Sequence, residues 1–398
     1  MRQELVGHQN RNCVLVFAIL LLLIPIALRW YLQSQDISSF ILANQNRVDT
    51  SKITSEIHIH QNADYDGQFF YKIAQDPFEI SKELGGVKLD NPLYRSQRIL
   101  YPSISYFLAF GQLDLIPYTL VLTNFLAIFF IWYLFYLLAK KHGLNPWISL
   151  IPIIYSGLLI GLSRNLSEPL ASMFVLMVFY FYLKHRPVFV SVFMTLVILT
   201  KETSMIFFIP IFIVEILRLI KSIIHAEKRF NYLKILLYAL PFLIFISWRI
   251  YLMQVFNVID YFPGGGNFTI PLKGIYESIK QLFPLSSIED YLNVFVFIFH
   301  FGFIVLICAM IVRNVKKNLK RKNTCMLIYF SLFLWIIASS MFSFKIYGDF
   351  YSLVRVFSSF VLLSYFVMFL NRYKFNRVFV GYVLLLYATT AIRLIFFA

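Results

Sequence analysis

LIPYTLVLTNFLAIFFIWYLFYLLA, residues 115–139, holds no charged side chain, and Lys140 and Lys141 follow it directly. A helix needs about 20 apolar residues to cross a bilayer core of about 30 Å, so this run reads as a membrane span ended by a basic cap. Similar runs lie at 13–33, 147–163, 168–184, 203–221, 233–254, 291–313, 324–343, 351–370 and 376–397. A shorter one, 187–200, is bounded by Arg186 and Lys201. Together they predict an all-α polytopic membrane protein with about eleven transmembrane helices. Composition agrees. Of 398 residues 59% are apolar, 14% charged and 19% aromatic, whereas soluble domains are about 45–50% apolar and about 25% charged. A soluble fold, a coiled coil and a nucleic-acid-binding domain are thereby excluded. Residues 13–28 could pass for a signal-peptide core, but Arg29-Trp30-Tyr31 follows them rather than a small-residue cleavage site, so they read as part of an uncleaved helix. Cys13, Cys308 and Cys325 lie in or beside apolar runs and imply neither a disulfide framework nor a metal cluster.

The net charge of +16 is explained by topology. The run 99–112 opens at Tyr101-Pro102 and is too short to cross, so it is expected on the membrane interface. The N-terminal side of the membrane then holds 20 of the 36 Lys and Arg but only Glu4, Glu215 and Glu227 of the 20 acids. Such a split places the N-terminus in the cytoplasm of an inner, or plasma, membrane and the C-terminus outside. The chain is expected as one integral membrane domain, 1–398. It has a long first outer loop, 34–114, carrying the juxtamembrane helix 99–112, and a second outer loop, 257–290. No nucleic-acid partner is implied, and membrane lipids are.

The first loop contains Asp64-Tyr65-Asp66-Gly67-Gln68-Phe69-Phe70-Tyr71-Lys72-Ile73-Ala74 and then Arg95-Ser96-Gln97-Arg98-Ile99-Leu100-Tyr101-Pro102. A carboxylate held at a membrane surface can act as general base toward a hydroxyl. Arg95 and Arg98, three apart, share a helical face and could clamp a phosphate. The same charges could also simply solvate a loop. Further ionisable groups sit at turns on the same side. Ser163-Arg164-Asn165-Leu166-Ser167-Glu168-Pro169 links two helices, and Thr200-Lys201-Glu202-Thr203 links the next pair. Ser167-Glu168-Pro169 is also a sound helix start, with a hydroxyl cap and a first-turn acid; Lys201 and Glu202 could pair with each other. Arg355 lies about one turn into an apolar run, where an ionisable group must face protein or a cavity. His58 and His60, with Asp64 and Asp66, could be read as a divalent-metal site, but His-x-His suits an extended segment equally and spacing fixes no third ligand.

The segments Tyr65–Ala74 and Arg98–Pro102 resemble the first-loop signature of the GT-C glycosyltransferase superfamily, most closely bacterial membrane proteins linked to cell-surface glycopolymer formation. The resemblance covers roughly 60–205. It implies a polytopic transferase that moves a sugar, with inversion, from a polyprenyl-phosphate donor to a glycan or lipid acceptor on the outer face. Asp66 then takes the place of the active-site first-loop acid, with Asp64 the second candidate. Arg95, Arg98 and Arg355 would hold the donor phosphate, and Arg164, Glu168, Lys201 and Glu202 would be further site residues. Some superfamily members use a divalent ion; no cofactor is fixed here. The competing expectations are a transporter or flippase of lipid-linked saccharides, and a non-catalytic component of envelope-polymer assembly.

Overall fold

The structure is a computed structural model of the full chain. It describes residues 2–33, 35–53, 56–61, 63–80, 86–225, 232–262, 264–281, 288–318 and 325–396. Parts of the two expected outer loops and of the basic clusters at 218–234 and 313–322 therefore lie outside the described residues.

The protein is 76% helical. In chain order the helices begin with α1 (Arg2–Leu32), α2 (Gly67–Gln75), α3 (Pro92–Ser96), α4 (Leu100–Leu108), α5 (Ile116–Lys141) and α6 (Ser156–Ser163). Then come α7 (Glu168–Leu183), α8 (Pro187–Thr200), α9 (Ile209–Ile224), α10 (Tyr232–Phe256), α11 (Lys273–Gln281) and α12 (Ile288–Asn318). The last are α13 (Met326–Ser339), α14 (Phe344–Tyr347), α15 (Phe350–Val356), α16 (Ser358–Leu370) and α17 (Arg377–Phe396).

Among the described residues six segments are long and apolar enough to cross a membrane: Asn12–Leu32, Leu113–Lys141, Glu202–Ile224, Tyr232–Phe256, Phe350–Leu370 and Arg377–Ile395. These are the dimensions of a multi-pass membrane protein. Three more of the expected spans appear as shorter apolar helices, Glu168–Leu183, Pro187–Thr200 and Met326–Ser339, and a fourth as the apolar stretch Phe297–Arg313 within the 31-residue α12. The run 147–163 is not one helix. Asn145 caps a 3-10 turn at Pro146–Leu150, and a turn leads to α6, only 8 residues long. Pro152, inside the run, cannot donate a backbone hydrogen bond, which breaks the run. At 1.5 Å per residue α6 is about 12 Å long, far short of a bilayer. The helix predicted over 99–112 is α4, 9 residues, likewise too short to span.

The chain forms two compact units. The first comprises Met1–Met173, Val354–Ser358 and Met368–Ala398, the second Phe174–Leu353 and Ser359–Val367. In the first, the described parts of the segment 34–114 are folded rather than open. Ala43–Asn44 and Ile59–His60 pair as two short parallel strands, and α2, α3 and α4 follow. Phe70 and Tyr101 pack edge to face and are buried. The helix α6 is buried along its length because small residues let neighbouring backbones approach. Ser156 Oγ donates to the Leu386 carbonyl of α17 at 3.1 Å. In the second unit Ser191 of α8 donates to the Leu237 carbonyl of α10 at 2.5 Å, and Phe207 stacks on Trp335 at 4.6 Å. The segment 265–272 is stitched to the end of α13: Thr269 N–H donates to Met341 O and Leu272 N–H to Ser340 O, each at 2.7 Å.

Candidate functional site

The first unit brings together side chains that the sequence scatters over 290 positions. Asp66 precedes α2 in helical backbone (φ −61°, ψ −23°), and its side chain makes no capping hydrogen bond. Its carboxylate turns away from the helix end. Arg95 Nη1 donates to Oδ1 at 2.7 Å, and Arg355 Nη1 donates to Oδ2 at 2.8 Å. Arg355 also reaches Glu168 Oε1 at 3.2 Å. Arg95 forks onto Asp90 at 2.8 and 2.7 Å, the planar geometry that suits a carboxylate or a phosphate.

Aromatic faces hold these guanidiniums in place. Tyr65 lies with Arg164 4.6 Å and Arg355 4.9 Å from its ring centroid. Arg95 sits 4.1 Å over Phe69, and Arg98 lies 4.5 Å over Tyr94 while donating to its hydroxyl at 2.6 Å. Such contacts contribute about 0.5–2 kcal/mol each, depending on desolvation. They also pre-order flexible side chains before any ligand arrives.

Backbone packing positions the cluster. Arg355 is delivered by the strip 354–358, which Tyr155 anchors by donating its hydroxyl to Val354 O at 2.6 Å. Gly67, the first residue of α2, faces the turn that carries Arg164; a Cβ there would lie 2.4 Å from Arg164 O and 2.8 Å from Ile41 O. Alanine gains at most about 1 kcal/mol of helix propensity over glycine. Both obstacles are backbone carbonyls that cannot rotate aside, and overpacking costs about 1–3 kcal/mol. Gly67→Ala is therefore expected to lower stability by about 1–2 kcal/mol, read as a lower melting temperature in detergent micelles. An unchanged melting temperature would contradict this packing. Asn124, fully buried on α5, ties the surrounding turns: its amide donates to the carbonyls of Gly161 (3.1 Å) and Leu166 (2.8 Å) and lies 3.0 Å from the Tyr101 hydroxyl.

The electrostatics are unusual for a candidate base. Burial pushes the Asp66 carboxyl up. Arg95, Arg355 and Arg98, with the Arg355 hydrogen bond, outweigh it and hold the group well below the usual carboxylate range. In this state Asp66 is a firm anion and a weak base. The four arginines named here, Arg95, Arg98, Arg164 and Arg355, outnumber the carboxylates of Asp66, Asp90 and Glu168. An anion is thus favoured beside them.

The candidates read from the sequence divide as follows. Asp66, Arg95, Arg355 and Glu168 share direct contacts. Arg164 and Arg98 join through Tyr65 and through the field at Asp66. Glu168 both opens α7 and pairs with Arg355, so its two readings coexist. Arg95 lies in the last turn of α3 and Arg98 follows the helix, the two converging on Tyr94 rather than along one helix. Asp64 lies apart from these contacts: it takes Arg47 at 2.8 Å, accepts from Gln68, and is 39% exposed. Lys201 and Glu202 belong to the second unit, at the junction of α8 and the 3-10 turn Glu202–Phe208.

His58 and His60 meet edge to face at 4.6 Å, and the His60 ring lies 3.1 Å from Ser39 O. Among the described residues no group of three or more His, Cys, Asp or Glu is disposed to hold a metal ion. Tyr65, Asp90 and Asn124 were not foreseen. For Asp90 the only sequence signal was its place five residues before Arg95, and for Asn124 a lone amide inside an apolar span. Comparisons with known families, characterised proteins and solved structures found no match: no family model fits the chain, and no curated protein or experimental structure is similar to it.

Proposed function

We propose that this protein is a membrane glycosyltransferase that moves a sugar from a polyprenyl-phosphate donor to a glycan or lipid acceptor at the outer face of the inner, or plasma, membrane. The observation that carries the reading is the Asp66 carboxylate gripped by Arg95 on one oxygen and Arg355 on the other. It supplies a carboxylate for the acceptor hydroxyl and guanidiniums for the leaving phosphate in one place. The positive-inside charge split supports a cytoplasmic N-terminus and an outward-facing first loop. The first-loop resemblance to GT-C enzymes points the same way.

In the proposed reaction the donor phosphate competes with Asp66 for Arg95 and Arg355. Losing part of its counter-charge raises the proton affinity of Asp66 toward that of an ordinary carboxylate. The acceptor hydroxyl gives its proton to Asp66, and its oxygen bonds to the anomeric carbon. The bond from that carbon to the donor phosphate oxygen breaks, and its electron pair leaves with polyprenyl phosphate. Positive charge developing on the sugar meets the carboxylate, and negative charge on the leaving phosphate meets the guanidiniums. Glu168 is a positioning residue that keeps Arg355 oriented.

A second reading has one observation in its favour. The broken segment 146–163 resembles the interrupted helices from which transporters build lipid or ion sites. One experiment separates the two. Purified full-length protein in liposomes is given labelled polyprenyl-phosphate hexoses with lipid-extract acceptors. Release of polyprenyl phosphate with the label in a new product supports the transferase. Intact donor that only changes leaflet supports transport, and donor that neither reacts nor moves argues against both.

A further inference from the structure

The second unit holds a cavity of about 510 Å³, outside the cluster described above. It lies where the C-terminal end of α7 meets the N-terminal ends of α8, α10 and α13, with α9 along one wall. Ends of apolar helices mark the level of the bilayer surface. Tyr182, His185, Arg218, Lys234 and Tyr238 face into it, and Val214 contributes to an apolar wall. Volume and polarity suit an amphipathic ligand.

The charges there are arranged, not scattered. Glu215 is 4% exposed and accepts from both Arg218 Nη1 and Lys234 Nζ, each at 2.6 Å and both on the same oxygen. Lys234 also lies 5.7 Å over the Tyr238 ring. Two cations against one carboxylate leave one positive charge at the cavity, the complement of one phosphodiester. Arg218 remains 55% exposed, so its guanidinium can serve a ligand without releasing Glu215. Leu217 beside Arg218, and Leu233 and Leu236 beside Lys234, are exposed apolar side chains along which acyl chains can lie. Flanking Lys184, Arg186 and Lys221 add an attractive field, and Glu215 is the lone acid on the described parts of these helix ends.

We propose that this cavity is a binding site for an anionic glycerophospholipid, with the headgroup phosphodiester on Arg218 and Lys234. Tyr182, Tyr238 and His185 offer hydrogen bonds to the headgroup, and the acyl chains leave along the exposed leucines. The site does not depend on the transferase reading.

Native mass spectrometry of the full-length protein, exchanged from nanodiscs into mild detergent, tests it. The probes are phosphatidylglycerol, phosphatidylcholine and inorganic phosphate. Phosphatidylglycerol is expected to be retained in preference to phosphatidylcholine. Arg218→Gln leaves the Lys234–Glu215 pair intact, so the fold is kept while retention falls about fivefold, the effect of about one cation near a membrane surface. Val214→Phe narrows the cavity without touching charge and is expected to reduce retention as well. Lys140→Gln, an exposed cation of the first unit, is expected to match wild type. Equal retention of the two lipids by wild type would overturn the proposal, as would wild-type retention in both Arg218→Gln and Val214→Phe. Competition by millimolar inorganic phosphate would instead assign a free-phosphate site and overturn the lipid.

Discussion

Replacing Asp66 by Asn is expected to slow sugar transfer by about 10²–10⁴-fold, the usual contribution of a positioned base, while the protein still folds. The geometry explains both halves. Asn keeps the shape but cannot take a proton. The two arginines it would leave uncompensated each retain another carboxylate: Arg95 keeps Asp90 at 2.7 Å, and Arg355 keeps Glu168 at 3.2 Å. The measurement is donor turnover by purified variant and wild type in nanodiscs, with a thermal melt for each. Asp64→Asn is the paired control. Asp64 is part-exposed and bound to Arg47 and Gln68, so its loss is expected to change turnover only a few-fold. If Asp66→Asn turns over like wild type, the proposed base is wrong. If Asp64→Asn is the slower variant, the roles of the two acids are reversed. The pH dependence is informative too. Free Asp66 is held well below the usual carboxylate range, so the free protein shows no Asp66 titration near neutrality. Any acidic limb in kcat then reports Asp66 in the donor complex, with its arginines engaged elsewhere.

Arg355→Gln is expected to produce the largest loss of stability among single changes in this cluster. Arg355 is 13% exposed and is the cation on Asp66 Oδ2 and on Glu168, itself 4% exposed. Removing one partner of a buried pair leaves the other charge uncompensated and costs about 3–5 kcal/mol. Asp66 keeps Arg95 on its other oxygen, so the lower part of that range applies. Arg355→Lys keeps the charge but not the planar fork and is expected to fall between the two. Glu168→Gln removes the longer of the two contacts and is expected to cost less than Arg355→Gln. Unfolding in detergent, followed by tryptophan fluorescence against denaturant or heat, gives the order. A melt for Arg355→Gln that matches wild type would mean that the bridge from residue 355 to the first loop does not form.

The sequence by itself determined the class of the molecule. Apolar runs of about 20 residues with basic ends have few stable structures other than membrane helices, because a backbone in lipid must satisfy its own hydrogen bonds. It also pointed to Asp66, Arg95, Glu168 and Arg355 as ionisable groups in costly places. Charge next to an apolar run is a local property that can be read from one stretch at a time.

Only the tertiary structure decided which of these groups meet. Nothing periodic links Asp66 to Arg355 across 289 positions. Their contact depends on the Tyr155 anchor at Val354 and on a glycine at 67 that lets α2 close on the Arg164 turn. Asp64 and Asp66 look equivalent in the sequence, two residues apart on one loop. The fold gave one to Arg47 near solvent and enclosed the other between two arginines. The run 147–163 is apolar enough to span, and hydropathy does not register that Pro152 removes a backbone donor and breaks it. Local chemistry thus set which segments are long and apolar enough to cross a membrane. Steric and hydrogen-bonding constraints acting between distant segments set which charges neutralise one another.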